Sequence, residues 1–153
     1  MKKLLLLLSL LMLTACNSNT TDVIYEFPQD FEGEFAVIYN VASAPALVKE
    51  GDYTVVKINE QGYMLTSTPI QQYGTVTDKY FYVDDNGKRT AISDKCVLAG
   101  STGSYGAEIA VNFSQSTLVK DNCEEEFHLL TPSFNTLDID ALLANITKEA
   151  TQP

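Results

Sequence analysis

The 153-residue sequence has no tryptophan, one histidine, three cysteines, and half as many basic as acidic side chains. Each scarcity excludes something. With His128 as the only histidine, no H-E-x-x-H metal motif can be written. No G-x-S-x-G elbow is present to present a serine nucleophile. Ten Lys and Arg against twenty Asp and Glu give a net charge of −10, with no basic cluster. A nucleic-acid partner is therefore not expected, because phosphate backbones are held by clustered cations. Long apolar runs are also missing except for Leu4 to Leu13, interrupted by Ser9. That run is short of the roughly 20 residues a bilayer-spanning helix needs. What the chain does have is eight Tyr, seven Phe and many Val and Ile. Such a composition can fill a core and is unlike that of disordered chains.

The apolar run has the make-up of an export signal. Lys2 and Lys3 precede it, and LTAC with its small residues closes it at Cys16. LTAC resembles the lipobox of bacterial lipoproteins. The resemblance implies a diacylglyceryl thioether on Cys16, cleavage before it, and acylation of the new amino terminus. Several acyl chains are what stable anchoring takes, since one alone holds weakly. Residues 1–15 are thus expected to be a signal peptide, 16–21 an anchor and short tether, and 22–153 one domain. Asn17, where Asp would retain a lipoprotein at the inner membrane, implies the outer membrane, periplasmic side, if the host has two membranes. Removing residues 1–15 leaves 138 residues with 8 basic and 20 acidic side chains, about −12. That charge is expected to hold the domain off anionic lipid, so that membrane contact comes from the anchor and not from the surface.

Cys96 and Cys123 remain in the exported chain. Outside the cytoplasm thiols tend to pair, so a disulfide closing a loop of about 28 residues is expected. Two free thiols, or a zinc site that would need more ligands than His128, are the alternatives.

The pattern predicts a mainly β fold, an antiparallel sandwich or curled sheet with one C-terminal helix. VIYEF (23–27), EFAVIYN (34–40), DYTVVKIN (52–59) and KYFYVD (79–84) are β-branched and aromatic runs. Glu60-Gln61-Gly62 suggests a hairpin joining 52–59 to YMLTSTP (63–69). Asp85-Asn86-Gly87 predicts a tight turn into the return arm KRTAI (88–92). CVLAG (96–100) is expected to be a short strand, and GSTGSYG (100–106) a flexible connection. YGAEIAVNF (105–113) alternates most cleanly and predicts one half-buried strand. TLVK (117–120) and FHLL (127–130) are candidates for later pairing. In the tail, Ile139, Leu142, Leu143 and Ile146 form one helical stripe, predicting a helix over about 137–149.

Few residues suggest chemistry. Starting a calcium loop at Asp84 would put Arg89 where glycine is needed and Lys95 where glutamate is needed. GSTGSYG lacks the Lys-Ser/Thr of a phosphate-cradling loop. His128 follows three glutamates but has no recognisable nucleophile. No cofactor or metal is expected, and no catalytic residue can be named. Alternation does put Tyr80 and Tyr82 on one face of their strand, where they could form an aromatic platform for sugars or peptides, or else line a core.

The segments Gly33–Asn40, Ile58–Ser67 and Tyr80–Thr90 carry G-x-x-x-x-x-Y-N, I-x-x-x-G-x-x-x-T-S and Y-x-Y-V-D-x-x-G-x-R-T. In these the chain resembles an uncharacterised family of predicted bacterial lipoproteins, a resemblance that carries no catalytic assignment and passes on no functional residue. Gly51, Asp52, Tyr53 and Val55 give a weaker resemblance to transthyretin-like accessory sandwiches. The functional expectation is a membrane-anchored envelope lipoprotein with a non-catalytic binding or accessory domain, its partner an envelope protein or glycan. A carboxylate-dependent hydrolase of envelope glycans and a purely structural protein are the alternatives.

Overall fold

Val, Ile, Tyr and Phe dominate the segments that pair in the computed structural model, which describes residues 19–107, 110–124 and 134–150. Among the described residues nine strands form: β1 Val23–Pro28, β2 Gly33–Tyr39, β3 Val48–Glu50, β4 Tyr53–Lys57, β5 Tyr63–Leu65, β6 Lys79–Val83, β7 Arg89–Ile92, β8 Val97–Tyr105 and β9 Val111–Leu118. One helix, α1 Ile139–Ala150, follows them. The strands make a five-stranded sheet in the order β3-β4-β1-β6-β7 and a four-stranded sheet in the order β5-β2-β9-β8. The mainly β class with a C-terminal helix is as the sequence predicts. The pairing is mixed rather than antiparallel throughout: β1 runs parallel to β4 and β6, and β2 runs parallel to β5.

The sheets face each other across one apolar core. Val23 and Phe27 of β1, Val56 of β4 and Tyr80 of β6 meet Phe35 and Val37 of β2 and Leu118 of β9. Phe27 and Phe35 stand edge to face at 4.9 Å between ring centres, joining the two sheets. The opposite side of β2, with Ala36 and Ile38, packs on Leu143 and Ile146 of α1. Three layers result, and β2 is buried on both faces, which is why EFAVIY is apolar almost throughout. Asp138 caps the helix, its carboxylate accepting the Ala141 N–H at 3.0 Å.

Three local expectations are overturned. Segments 52–59 and 63–69 do not pair as a hairpin. The turn itself forms, with the Asn59 carboxamide accepting the Tyr63 N–H at 3.0 Å. The chain then crosses to the other sheet, and β5 pairs with β2. There Met64 reaches the core between the sheets while Leu65 reaches the layer under α1. Next to β4, one of those two side chains would face water.

GSTGSYG is not a connection but most of β8, paired with β9 through a bulge between Ala99 and Thr102. Its glycine and serine have low intrinsic strand preference, and the pairing overrides it. Gly103 is needed because a Cβ there would lie 2.9 Å from the Phe113 ring. YGAEIAVNF is accordingly not one strand. Gly106, at φ +103°, ends β8, and the alternation continues on the far side of the turn in β9. FHLL lies outside the described residues.

Asp84 organises the β6–β7 turn, its carboxylate accepting the N–H groups of Asn86 and Lys88 at 2.9 and 2.8 Å. Gly87, at φ +78°, supplies the left-handed position. Cys96 and Cys123 are joined by a disulfide that ties the start of β8 to the end of β9.

A candidate groove between the sheets

On β9 the residues facing the core change character along the strand. Leu118 is fully buried, but the next two inward positions are Ser116 and Ser114, paired across to Phe35 and Val37 of β2. On β8 the corresponding positions are Ala99 and Thr102, both exposed. Small hydroxyl-bearing side chains cannot fill the space that Leu or Phe would. A groove of ≈590 Å³ is left between the sheets at this edge.

Its floor comes from the five-stranded sheet. Tyr25 of β1 stacks on Tyr80 of β6 at 5.3 Å and meets Phe35 edge-on at 5.8 Å. One lip is the connection from β5 to β6, where Tyr73 and Val76 stand exposed. Two carboxylates, Asp78 and Asp94, line the same groove, and no basic side chain among the described residues does.

Burial sets the protonation of this lining. It pushes the Tyr25 phenol well above its usual value and that of Tyr39, on the neighbouring inner position of β2, up to about 12. Tyr80 is raised by burial first and then by the charges of Asp78 and Asp94. Burial also raises the Asp78 carboxyl, against the hydrogen bonds it accepts from the Thr21 hydroxyl and the Val23 N–H. At neutral pH the groove thus offers aromatic faces, neutral phenols, serine and threonine hydroxyls and two carboxyl groups. Such a set suits a neutral or cationic ligand rich in hydroxyl groups, and repels anions.

Of the two uses left open for Tyr80 and Tyr82, an exposed aromatic platform or a core lining, the structure has the second. They do share a face, but it is the inner one. Tyr80 is 8% exposed, and the half-buried Tyr82 donates its hydroxyl to the Phe31 carbonyl at 3.0 Å. Burial pushes Tyr82 up to about 12. Phe81 takes the outer face, under the Arg89 guanidinium. Alternation assigns partners to a face but does not tell which face is wet. Tyr80 nevertheless belongs to the groove, as part of its floor. Tyr25, Ser114 and Ser116 escaped the sequence reading. The alternation of Asn112, Ser114 and Ser116 with Val111 and Phe113 was the signal that could have found the last two.

The outer face of the five-stranded sheet holds a second polar feature. Arg89 donates to the largely buried Glu26 at 2.6 Å and bidentately to Glu50 at 2.7 and 2.8 Å. Lys57 completes the set at 3.3 Å from Glu26. β3 and β7, which carry Glu50 and Arg89, are opposite edges of the sheet. Their meeting reflects the twist that curls diagonal corners toward each other. Every member has an opposite charge, so the network reads as structural. Cys16 and His128 lie outside the described residues. Among the described residues no three His, Cys, Asp or Glu converge as metal ligands would, and no helix is long and apolar enough to cross a membrane.

A family model described as "Family of unknown function (DUF6843)" matches residues 19–127. Among solved structures, a crystal structure described as a "Putative Lipoprotein from Bacillus anthracis" superposes with a TM-score of 0.72 at 31% identity. That match covers 85% of this chain and 94% of the other. No curated protein matches.

Proposed function

The chain belongs to that family of unknown function, DUF6843, and on this premise we propose that it is a membrane-anchored envelope lipoprotein with a non-catalytic binding domain. Lipid on Cys16 is the anchor, and the groove between the sheets is the binding site. The LTAC segment and the lipoprotein description of the 31%-identical relative support the anchor. The observation that carries the binding reading is the run of Ala99, Thr102, Ser114 and Ser116 facing the tyrosine floor. Filling these positions with larger apolar residues would have closed the sandwich at no chemical difficulty. The ligand class that fits is a hydroxyl-rich, uncharged molecule such as an envelope glycan, stacked on aromatic faces and hydrogen-bonded at its edges.

One observation favours the glycan hydrolase as a second reading: Asp78 and Asp94 share the groove, and burial raises Asp78 toward the protonated form an acid catalyst needs. Against it, Asp78 is already employed in holding Thr21 and the start of β1.

Uncharged, peptide-free glycan fragments, N-acetylglucosamine oligosaccharides, are the probe that separates the readings. Thr102→Trp places a large side chain in the groove from an exposed position and is expected to abolish retention of the fragments. The fragments themselves are expected to be recovered uncut. Cleavage that is lost in Asp78→Asn or Asp94→Asn would establish the hydrolase instead. Equal retention by wild type and Thr102→Trp would remove the groove as the site.

A further inference from the structure

Residues 61–77 carry no charged side chain, in a chain where thirty of 153 residues are Asp, Glu, Lys or Arg. Within this stretch Ile70, Tyr73 and Val76 are 50%, 61% and 68% exposed. Three of the five large apolar side chains that stand exposed among the described residues therefore fall within seven positions. Exposed apolar side chains gathered in one uncharged segment of an otherwise acidic chain suit contact with an apolar partner.

The segment's position relative to the amino terminus identifies that partner. Residues 19–22 are zipped onto residues 74–78. The Thr75 N–H donates to the Asn19 carbonyl at 2.8 Å, and the Thr21 N–H to the Thr75 carbonyl at 3.0 Å. Thr77 holds Asp22 through its hydroxyl at 2.7 Å. Gly74 lets the two backbones touch, since a Cβ there would lie 2.1 Å from the Asn19 oxygen. The bridge between Thr20 and Thr75 is parallel. Toward its amino terminus the chain therefore runs in the direction of Gly74 and Tyr73. Only Asn17 and Ser18 separate Asn19 from Cys16. Three residue steps span at most about 10 Å.

We propose that the Pro69–Thr77 segment is a membrane-contacting surface, its Ile70, Tyr73 and Val76 side chains resting in the interface of the bilayer that holds the lipid on Cys16. The inference rests on the lipoprotein reading of Cys16. A tether this short keeps Asn19, whose backbone touches Gly74, within about 10 Å of the anchored residue. Tyrosine is a residue type favoured at the headgroup level. The segment has no Lys or Arg, so the contact is apolar and does not select anionic lipid. This departs from the expectation that the anchor alone touches the membrane. It also turns one lip of the groove, formed by Tyr73 and Val76, toward the lipid surface.

The absence of tryptophan makes the test direct. Full-length protein carrying Tyr73→Trp is purified from the membranes of a producing bacterium and reconstituted in phosphatidylcholine vesicles with brominated acyl chains. Asn86→Trp, in the exposed β6–β7 turn at the other end of β1 and β6, is the control. Intact mass on the same samples reports acylation of Cys16. The expected result is acylated protein in which the indole emission of the Tyr73→Trp variant is blue-shifted and quenched several-fold relative to that of the Asn86→Trp control. Acylated protein in which the two variants emit equally far to the red and are equally unquenched would overturn the membrane contact and leave the lipoprotein reading standing. Unacylated protein would overturn the lipoprotein reading, and the contact with it.

Discussion

Glu26 sits in the middle of the central strand with its side chain 9% exposed, and it depends on Arg89 and Lys57 for its charge to be tolerated. Arg89→Ala should therefore cost more than a surface pair would. A loss of about 2–4 kcal/mol is expected in urea unfolding, because one partner of a nearly buried pair is left behind. Glu26→Gln combined with Arg89→Met should recover part of it. Arg89 also holds the Glu50 carboxyl below its usual value. A lowered folded value gives stability that is present above pH 4.5 and lost as pH falls through the folded value, so the network adds to acid sensitivity. The tyrosines act at the other end of the scale. Tyr39 and Tyr82 are both pushed up to about 12 by burial, from an ordinary 10. Their contribution is complete below pH 10 and lost as pH rises toward 12. Alkaline denaturation followed by tyrosinate absorbance should show these phenols ionising together with unfolding. A smooth titration complete before the fold is lost would contradict their burial.

At the scale of elements, the disulfide spans a loop of about 28 residues containing the β8–β9 hairpin. In the chain-entropy picture such a loop is worth about 3–4 kcal/mol, though the mechanism is debated. Cys96→Ser with Cys123→Ser should lower stability by that order, read as a shift in the urea midpoint, and leave the far-ultraviolet circular dichroism spectrum mainly β. Intact mass should show no alkylated thiol in the unreduced wild type. Strands whose side chains declare a single environment were legible in the sequence: β1, β2, β4, β6 and the amphipathic helix all appear where periodicity put them. Of the pairings, the β6–β7 hairpin was legible, from Asp85-Asn86-Gly87, and the others were not. Asn59 and Gly62 encode a turn, but nothing local says whether Tyr63–Leu65 returns to β4 or crosses to β2. That choice depends on β2 needing a neighbour on its edge. Of β8 only the start, CVLAG, was legible, because the Gly and Ser that follow become a strand only through the partner β9. Gly33 shows the same dependence. It stands at φ +135°, against Asn135 a hundred residues later, where a Cβ would meet backbone at 2.3 Å. A glycine in a sequence does not name the distant segment it makes room for.

For the whole molecule, the layers divide the labour. The helix closes one side of the four-stranded sheet, and the disulfide and the Asn135 contact both lie at the end of that sheet where β2 begins and β9 finishes. The remaining edge, between β8–β9 and β1–β6, stays open. The sequence revealed tyrosines in surplus but misplaced their use, because a site made of missing bulk has no motif. If the groove is the binding site, occupancy should be felt there and not on the outer face. The direct measurement is a ¹⁵N-¹H chemical-shift map of the exported protein titrated with uncharged N-acetylglucosamine oligosaccharides. The account predicts saturable shifts at the Val76, Thr102, Ser114 and Ser116 amides, with Phe81 and Ala91, whose side chains share the outer face of the five-stranded sheet, unmoved. Shifts confined to Phe81, Ala91 and their neighbours, or no saturable shift at the groove, would contradict it.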